Sequence, residues 1–251
     1  MDKMKRYFLE LAYNGTHYHG WQIQLNAVSV QEELNKALQT ILRKPIDTMG
    51  SGRTDTGVHG KQQFVHFDHE EIADARTFLK KVNAVLPKDI SVYSLREVLP
   101  HAHARFNAQW RSYEYYITLR KDPFEEEFSW HCYYQLDLTK MNEAAQLLIV
   151  HRDFECFSRV KTKVNHFECE IKTAFWEQKD RHLIFHITAN RFLRGMVRAI
   201  VGTLVEVGTG KIDLADFQAI LDSQQRAKAG SSAPPRGLYL SKVEYAEEIF
   251  I

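Results

Sequence analysis

Gly50-Ser51-Gly52-Arg53-Thr54-Asp55-Thr56-Gly57-Val58-His59-Gly60 places four glycines, one arginine and one carboxylate in eleven residues with almost no apolar content. Glycine at this density permits positive-φ turns and close approach of another molecule. An Asp held on such a loop, two residues from an Arg, reads as a charge placed for use. The competing reading is a turn in which Asp55 caps backbone N–H groups. Two familiar phosphate loops are excluded. Gly57 is followed by Val58 and His59 where a Walker loop needs Lys and Ser/Thr, and a dinucleotide fingerprint starting at Gly50 would need glycine at position 55. Asp55-Thr56-Gly57 matches the short signature of aspartic proteases. That reading lacks the usual apolar run before the Asp and requires a second carboxylate from a symmetric dimer.

Outward from this loop, the chain alternates strands and helices. Tyr7–Tyr13 alternates like a strand and ends at the Asn14-Gly15 turn. Val28–Arg43 carries helical periodicity, with Ser29 as N-cap and Glu32 three residues on. A short second strand runs into the Gly50 loop, and Phe64-Val65-His66-Phe67 forms a third. Ala75–Leu86 is a second helix stopped by Pro87, and Ile90–Val98 a fourth strand. The order β-α-β-β-α-β is that of a ferredoxin-like or RRM-like module. It recurs: strand Tyr113–Leu119, helix Thr139–Val150, strands Ile171–Glu177 and His182–Thr188 with Arg181 in their tight connection, a long helix Phe192–Val207, a shorter one Leu214–Leu221, and a final strand Gly237–Tyr245. The fold expected is α+β. Two ferredoxin-like subdomains, residues 1–104 and 105–251, join mainly antiparallel sheets into one extended sheet, with helices on one side and a cleft on the other. The irregular loops Lys121–Phe128 and Ala227–Pro235 are candidates to flank a site.

The 251 residues suffice for a real core, and Lys plus Arg exceed Asp plus Glu by only one, so net charge points to no partner. The three cysteines, Cys132, Cys156 and Cys169, lack Cys-x-x-Cys spacing. They point to a reducing compartment with buried thiols rather than disulfides or zinc. The N-terminus lacks a long apolar stretch and no run reaches membrane-span length, so the cytoplasm is the expected location, without membrane attachment.

Two further clusters carry chemistry. Arg105 to Tyr116 interleaves basic and aromatic residues; at period two, Arg111, Tyr113, Tyr115 and Ile117 share one face. A tyrosine beside a cation can stack on a base and hydrogen-bond through its hydroxyl, although some of these rings pack the sheet instead. Asn190 is a candidate N-cap for the long helix, on which Arg191, Arg194 and Arg198 form a stripe suited to carboxylate or phosphate pairing. The flanking residues Val197, Ala199, Ile200 and Val201 point to partial burial of Arg198, which then needs a partner carboxylate. The pairs His17/His19 and His101/His103 lack a matching ligand set, so no metal site is expected.

Gly52-Arg53-Thr54-Asp55-Thr56-Gly57-Val58-His59 resembles the signature of the TruA-type tRNA pseudouridine synthases. Resemblance extends along the chain: Leu11 to Thr16 with Tyr18 to Gln22, His103 to Ala108 with Arg111 to Tyr115, Met196-Val197-Arg198 with the following Gly202 and Gly208, and Ala233-Pro234 with Gly237 to Leu240. Thr56 stands where that family usually has Ala, and Arg194-Gly195 replaces a commonly aromatic-plus-His pair. The resemblance implies isomerisation of uridine at positions 38, 39 and 40 of the tRNA anticodon stem-loop, by a homodimer without metal or organic cofactor. It implies Asp55 as catalytic nucleophile, Tyr113 as active-site tyrosine and Arg198 as the arginine paired with the aspartate. Arg53 takes a position where RNA contact is expected. Arg111, Arg191 and Arg194 are candidates for gripping phosphates. A noncatalytic RNA-binding module is the remaining alternative.

Overall fold

The computed structural model describes residues 4–159 and 165–251. It is an α+β protein with two compact units, Met1–Gln109 with Leu240–Ile251, and Trp110–Tyr239. The expected boundary at 104/105 placed residues 240–251 with the second part; they pack in the first.

The first unit contains β1 (Lys5–Tyr13), α1 (Val30–Leu42), β2 (Met49–Gly50), β3 (His59–His69), α2 (Ala75–Val85) and β4 (Ile90–Val98). Its strands run in the order β4-β1-β3, all antiparallel, with β2 paired to β3. Alternation in β1 decides what lies on each face. Tyr7, Leu9, Leu11 and Tyr13 enter one core with Val30, Leu34 and Leu38 of α1 and Phe78 and Val82 of α2. Phe8 points the other way, into a second cluster with Val98, Phe64, Tyr245 and Phe250. The C-terminal segment closes over that cluster. The Tyr245 hydroxyl donates to the Ala104 carbonyl at 2.6 Å, and Ile251 N–H to the Glu97 carbonyl at 3.1 Å.

Helix ends follow the sequence signals. Ser29 caps α1 by accepting from Glu32 N–H, and Asp74 caps α2 by accepting from Thr77 N–H. β4 would leave backbone groups open on its outer side. Asn83 of α2 meets them at Val92, accepting from its N–H and donating to its carbonyl, both at 2.8 Å.

The chain continues with β5 (Ala108–Thr118), β6 (Trp130–His131), α3 (Leu138–Val150), β7 (Ile171–Lys179), β8 (His182–Ala189), α4 (Met196–Gly208) and α5 (Leu214–Asp222), which make up the second unit apart from the first two residues of β5, and then with β9 (Leu238–Tyr245), most of which returns to the first. β5, β8 and β7 are antiparallel neighbours, and β6 adds a short parallel pairing to β5. Tyr115, Ile117, Phe185, Ile187 and Trp176 are buried, as are Met141, Ala144 and Leu148 of α3 and Ile200 and Leu204 of α4. The outer strand β7 is held as β4 is: Asn142 of α3 accepts from Trp176 N–H at 2.7 Å and donates to its carbonyl at 3.0 Å. Asp180, at φ 52°, turns β7 into β8, and neighbouring Arg181 pairs with Asp122 at 2.6 Å and Glu125 at 3.0 Å, fastening the 121–128 loop. The three cysteines are buried free thiols, and burial pushes Cys156 up to about 12 and Cys169 to about 11.

One expected element is corrected. The long helix begins at Met196, not Phe192, and Asn190 is not its N-cap. The Asn190 side chain instead accepts from Glu170 N–H at 2.9 Å. Gly195 is the N-cap residue, at φ 74°, a left-handed conformation that glycine adopts freely and that keeps residues 191–194 out of the helix.

Candidate active site

The Asp55 loop is built on rigid supports. Ser51 N–H donates to the Phe64 carbonyl at 2.8 Å, and the Ser51 hydroxyl donates to the buried Gln63 side chain. Gln63 also donates to the Gly52 carbonyl at 3.1 Å. The Thr54 hydroxyl bonds the Tyr13 hydroxyl at 2.9 Å, and the Thr54 carbonyl accepts from Trp21 N–H at 3.1 Å. At the far end, buried His59 uses Nδ1 to accept from Gly15 N–H at 3.1 Å. Between these anchors, Val58 N–H closes a turn onto the Asp55 carbonyl at 3.1 Å. Ser51, Thr54, Val58 and His59 are buried, Asp55 is half-buried, and Arg53 and Thr56 are exposed. The result is a carboxylate displayed from a loop whose flanks are sewn into the core.

The glycines serve this chain's own packing. A Cβ on Gly50 would lie 2.6 Å from Nε1 of Trp21, and one on Gly60 would lie 2.6 Å from Cε1 of Tyr13. Gly20, at φ 88°, brings the 18–21 segment against the Thr54 carbonyl. That segment is fixed in turn by Tyr18, whose hydroxyl donates to Asp89 at 2.6 Å; burial, then this bond, raises its pKa above the ordinary phenol range. Close approach is therefore real, but at Gly50 and Gly60 the approaching groups are Trp21 and Tyr13.

Tyr113, Arg111, Arg191, Arg194 and Arg198 belong to the second unit. The fold separates the three tyrosines of β5. Tyr115 is 0% exposed and donates to the Pro234 carbonyl at 2.8 Å, a core role. Tyr116 donates to Glu114 at 2.8 Å. Tyr113 is half-buried, and its ring meets Phe192 edge-on with centroids 5.0 Å apart. Arg111 donates to the Asn190 carbonyl at 2.9 Å, so the segment before α4 comes to Arg111 and Tyr113 together.

The stripe of arginines is corrected. Arg191 and Arg194 precede the helix, so the i, i+3, i+7 relation to Arg198 does not exist. Arg191 reaches the His166 ring at 2.9 Å, and exposed Arg194 accepts at its carbonyl from Arg159 N–H at 3.0 Å. Arg198 is half-buried, as its apolar neighbours imply, and its Nε donates to the Ala233 carbonyl at 2.6 Å. The 227–235 loop is thus docked on α4. Gly230 N–H donates to Thr203 Oγ1 at 3.0 Å, Ala233 N–H to the Arg198 carbonyl at 2.9 Å, and a Cβ on Gly202 would strike the Ser231 carbonyl oxygen at 1.8 Å.

A separate concavity of about 580 Å³, lined by Trp130, Tyr134, Val205, Glu206, Lys211 and Pro234 among others, contains none of the candidate site residues. Among the described residues no His/Cys/Asp/Glu group is arranged to hold a metal ion, and no helix is long and apolar enough to cross a membrane. Sequence reading missed the supports Tyr13, Trp21 and Gln63. Gln63 left a signal, a polar residue at an inward position of a strand, where burial demands hydrogen bonds.

Known proteins share this chain's sequence over almost its whole length. A sequence model of the family described as tRNA pseudouridine synthase matches residues 144–246. The tRNA pseudouridine synthase A of Bacteroides thetaiotaomicron is 51% identical over 250 residues, covering 98% of this chain and 93% of that protein. That of Bacteroides fragilis is 52% identical, covering 98% of this chain and 99% of the relative. That of Treponema denticola is 42% identical over 99% of this chain and 96% of its own length. Identity at this level and coverage reduces the Asp55-Thr56-Gly57 protease match to coincidence. The chain belongs to the tRNA pseudouridine synthase A family, whose members are isomerases acting on tRNA.

Proposed function

We propose that this protein converts uridine to pseudouridine at positions 38, 39 and 40 of the tRNA anticodon stem-loop, working in the cytoplasm as a homodimer without a cofactor. In this reading each unit is a ferredoxin-like half, and Asp55 is the nucleophile. The observation that carries it is the half-buried Asp55 on a loop clamped at Ser51, Thr54 and His59, in a chain about half identical to named relatives.

The reaction breaks the N1–C1′ glycosidic bond, rotates the uracil and joins C5 to C1′; C5 loses a proton and N1 gains one. A carboxylate serves this as a nucleophile on C6 or C1′, or by acting on the sugar through a glycal route. A target inside a paired stem is first flipped out, at a cost of a few kcal/mol. Tyr113, half-exposed where Tyr115 is buried, is suited to stack on the detached base or to move the C5 proton. Arg198 is assigned as the cation that favours a charged active-site carboxylate, and Arg53, Arg111 and Arg191 as phosphate contacts.

Mapping pseudouridine in an unmodified tRNA transcript treated with the purified protein tests the reading. Asp55→Asn and Asp55→Ala are expected to abolish product while leaving tRNA affinity largely intact; appreciable turnover in either removes Asp55 from the chemistry. Tyr113→Phe is expected to slow turnover. Arg198→Met is expected to slow it and to displace the pH–rate profile.

A further inference from the structure

The segment 102–107 displays an exposed aromatic ring from a loop with an unusual number of anchors. The Ala102 carbonyl accepts from Arg6 at 3.0 Å, and Arg6 is itself held by both oxygens of Asp68 at 2.7 Å. Ala104 N–H donates to Nδ1 of buried His66 at 3.1 Å, and the Ala104 carbonyl accepts from the Tyr245 hydroxyl at 2.6 Å. His103 and Asn107 close the loop on itself: His103 N–H donates to the Asn107 side chain at 2.7 Å, and Asn107 N–H to the His103 carbonyl at 3.0 Å. Nδ1 of His103 accepts from Arg105 N–H at 3.1 Å. Burial, then the charge of Arg6, lowers the His103 pKa, which keeps that nitrogen an acceptor.

From this frame Phe106 projects with 75% of its surface exposed, although Ala102 and Ala104 beside it are fully buried. His103 lies 4.3 Å from its ring centroid on one side, and the Arg105 guanidinium lies 5.7 Å from the same centroid. Rigid display of an aromatic and an arginine is how binding surfaces avoid ordering costs. The frame is separate from that of the Asp55 loop: it rests on Arg6, His66 and Tyr245, whereas the Asp55 loop rests on Gln63, Phe64, Tyr13, Trp21 and Gly15.

We infer that Arg105 and Phe106 form a second tRNA contact, distinct from the Asp55 loop, in which Phe106 stacks on an unpaired base and Arg105 meets an adjacent phosphate. The flat ring and neighbouring cation fit a nucleotide, whose base has a π-face and whose phosphate is anionic. This rests on the tRNA-modifying reading above. The contact holds substrate and takes no part in bond making.

Steady-state kinetics on an unmodified tRNA transcript test it with Phe106→Leu, Phe106→Trp and Arg105→Gln. Leu keeps apolar bulk without a π-face and is expected to raise KM about tenfold, the order set by losing one stacked base, with kcat within about twofold. Trp is expected to restore KM. Arg105→Gln is expected to raise KM and reduce the slope of log KM against log salt by close to one. An unchanged KM in Phe106→Leu overturns the inference, as does a fall in kcat alone. A change in oligomeric state that tracks the KM change also overturns it, because the ring then faces a second copy. If the unaltered protein forms no pseudouridine, the functional reading fails first.

Discussion

A methyl group on Gly60 would stand 2.6 Å from Cε1 of a Tyr13 ring that is only 4% exposed, leaving neither partner room to yield. Gly60→Ala is therefore expected to cost about 1–3 kcal/mol in denaturant unfolding, by overpacking. It is also expected to lower pseudouridine formation, because Tyr13 holds Thr54 beside Asp55. A Gly60→Ala protein with full stability and full activity would show that the loop is softer than its contacts indicate. The motif around Asp55 is legible in sequence because glycines, a charge and small polar residues concentrate in one short stretch. Its supports are not legible. Tyr13 lies about forty residues upstream and Trp21 about thirty; the register of β1 against β3 sets Tyr13 opposite Gly60, and the segment after β1 brings Trp21 N–H to the Thr54 carbonyl.

At the scale of elements, Gly195 and Gly202 make opposite demands on α4. A Cβ at Gly195 meets nothing within 4 Å, so only its φ of 74° resists substitution. Gly195→Ala is expected to cost about 1 kcal/mol. Gly202→Ala meets the Ser231 carbonyl directly, and must push the 227–235 loop off the helix, at about 2 kcal/mol or more. Thermal unfolding of the two variants reads the difference, and equal shifts would contradict it. The same helix marks where periodicity misled. Asn190 has the residue type of an N-cap, but its amide is committed to Glu170 across the unit, a pairing no local pattern announces. Strands β1, β4, β7 and β8 were legible because each is a run of eight or nine residues rich in aliphatic, β-branched and aromatic side chains. The two-residue strands β2 and β6 carry no periodicity, and for them only the sheet defines the strand.

For the whole molecule, acid is the expected weakness. His66 is buried beside Arg6 and His103, and burial first, then Arg6, lowers its pKa from 6.5 to about 4. The unfolded chain takes up this proton near pH 6.5 and the folded chain only near 4, so stability is full above 6.5 and declines as pH falls between these values. The loss at this residue reaches about 3 kcal/mol. Asp68, whose pKa Arg6 lowers through their paired hydrogen bonds, acts in the same direction at lower pH. Urea unfolding from pH 7.5 to 4.5 is expected to show this decline, reduced in His66→Gln; identical slopes in the two proteins would acquit His66. The C-terminal segment shares in that chemistry through Tyr245 and Ala104. Its return to the first unit was hidden from a reading that divides the chain in order.

The amides of Asn83 and Asn142 have a consequence on the clock of isotope exchange. Outer strands ordinarily release their solvent-side N–H protons through small local openings. Here the outward N–H of Val92 and that of Trp176 are each clasped by a helix side chain that also holds the same residue's carbonyl. Freeing either proton requires the helix to lift from the strand, which opens the hydrophobic layer between them. Val92 and Trp176 are therefore expected to exchange with deuterium as slowly as the central strands, and to speed up by orders of magnitude when the clasping asparagine becomes alanine.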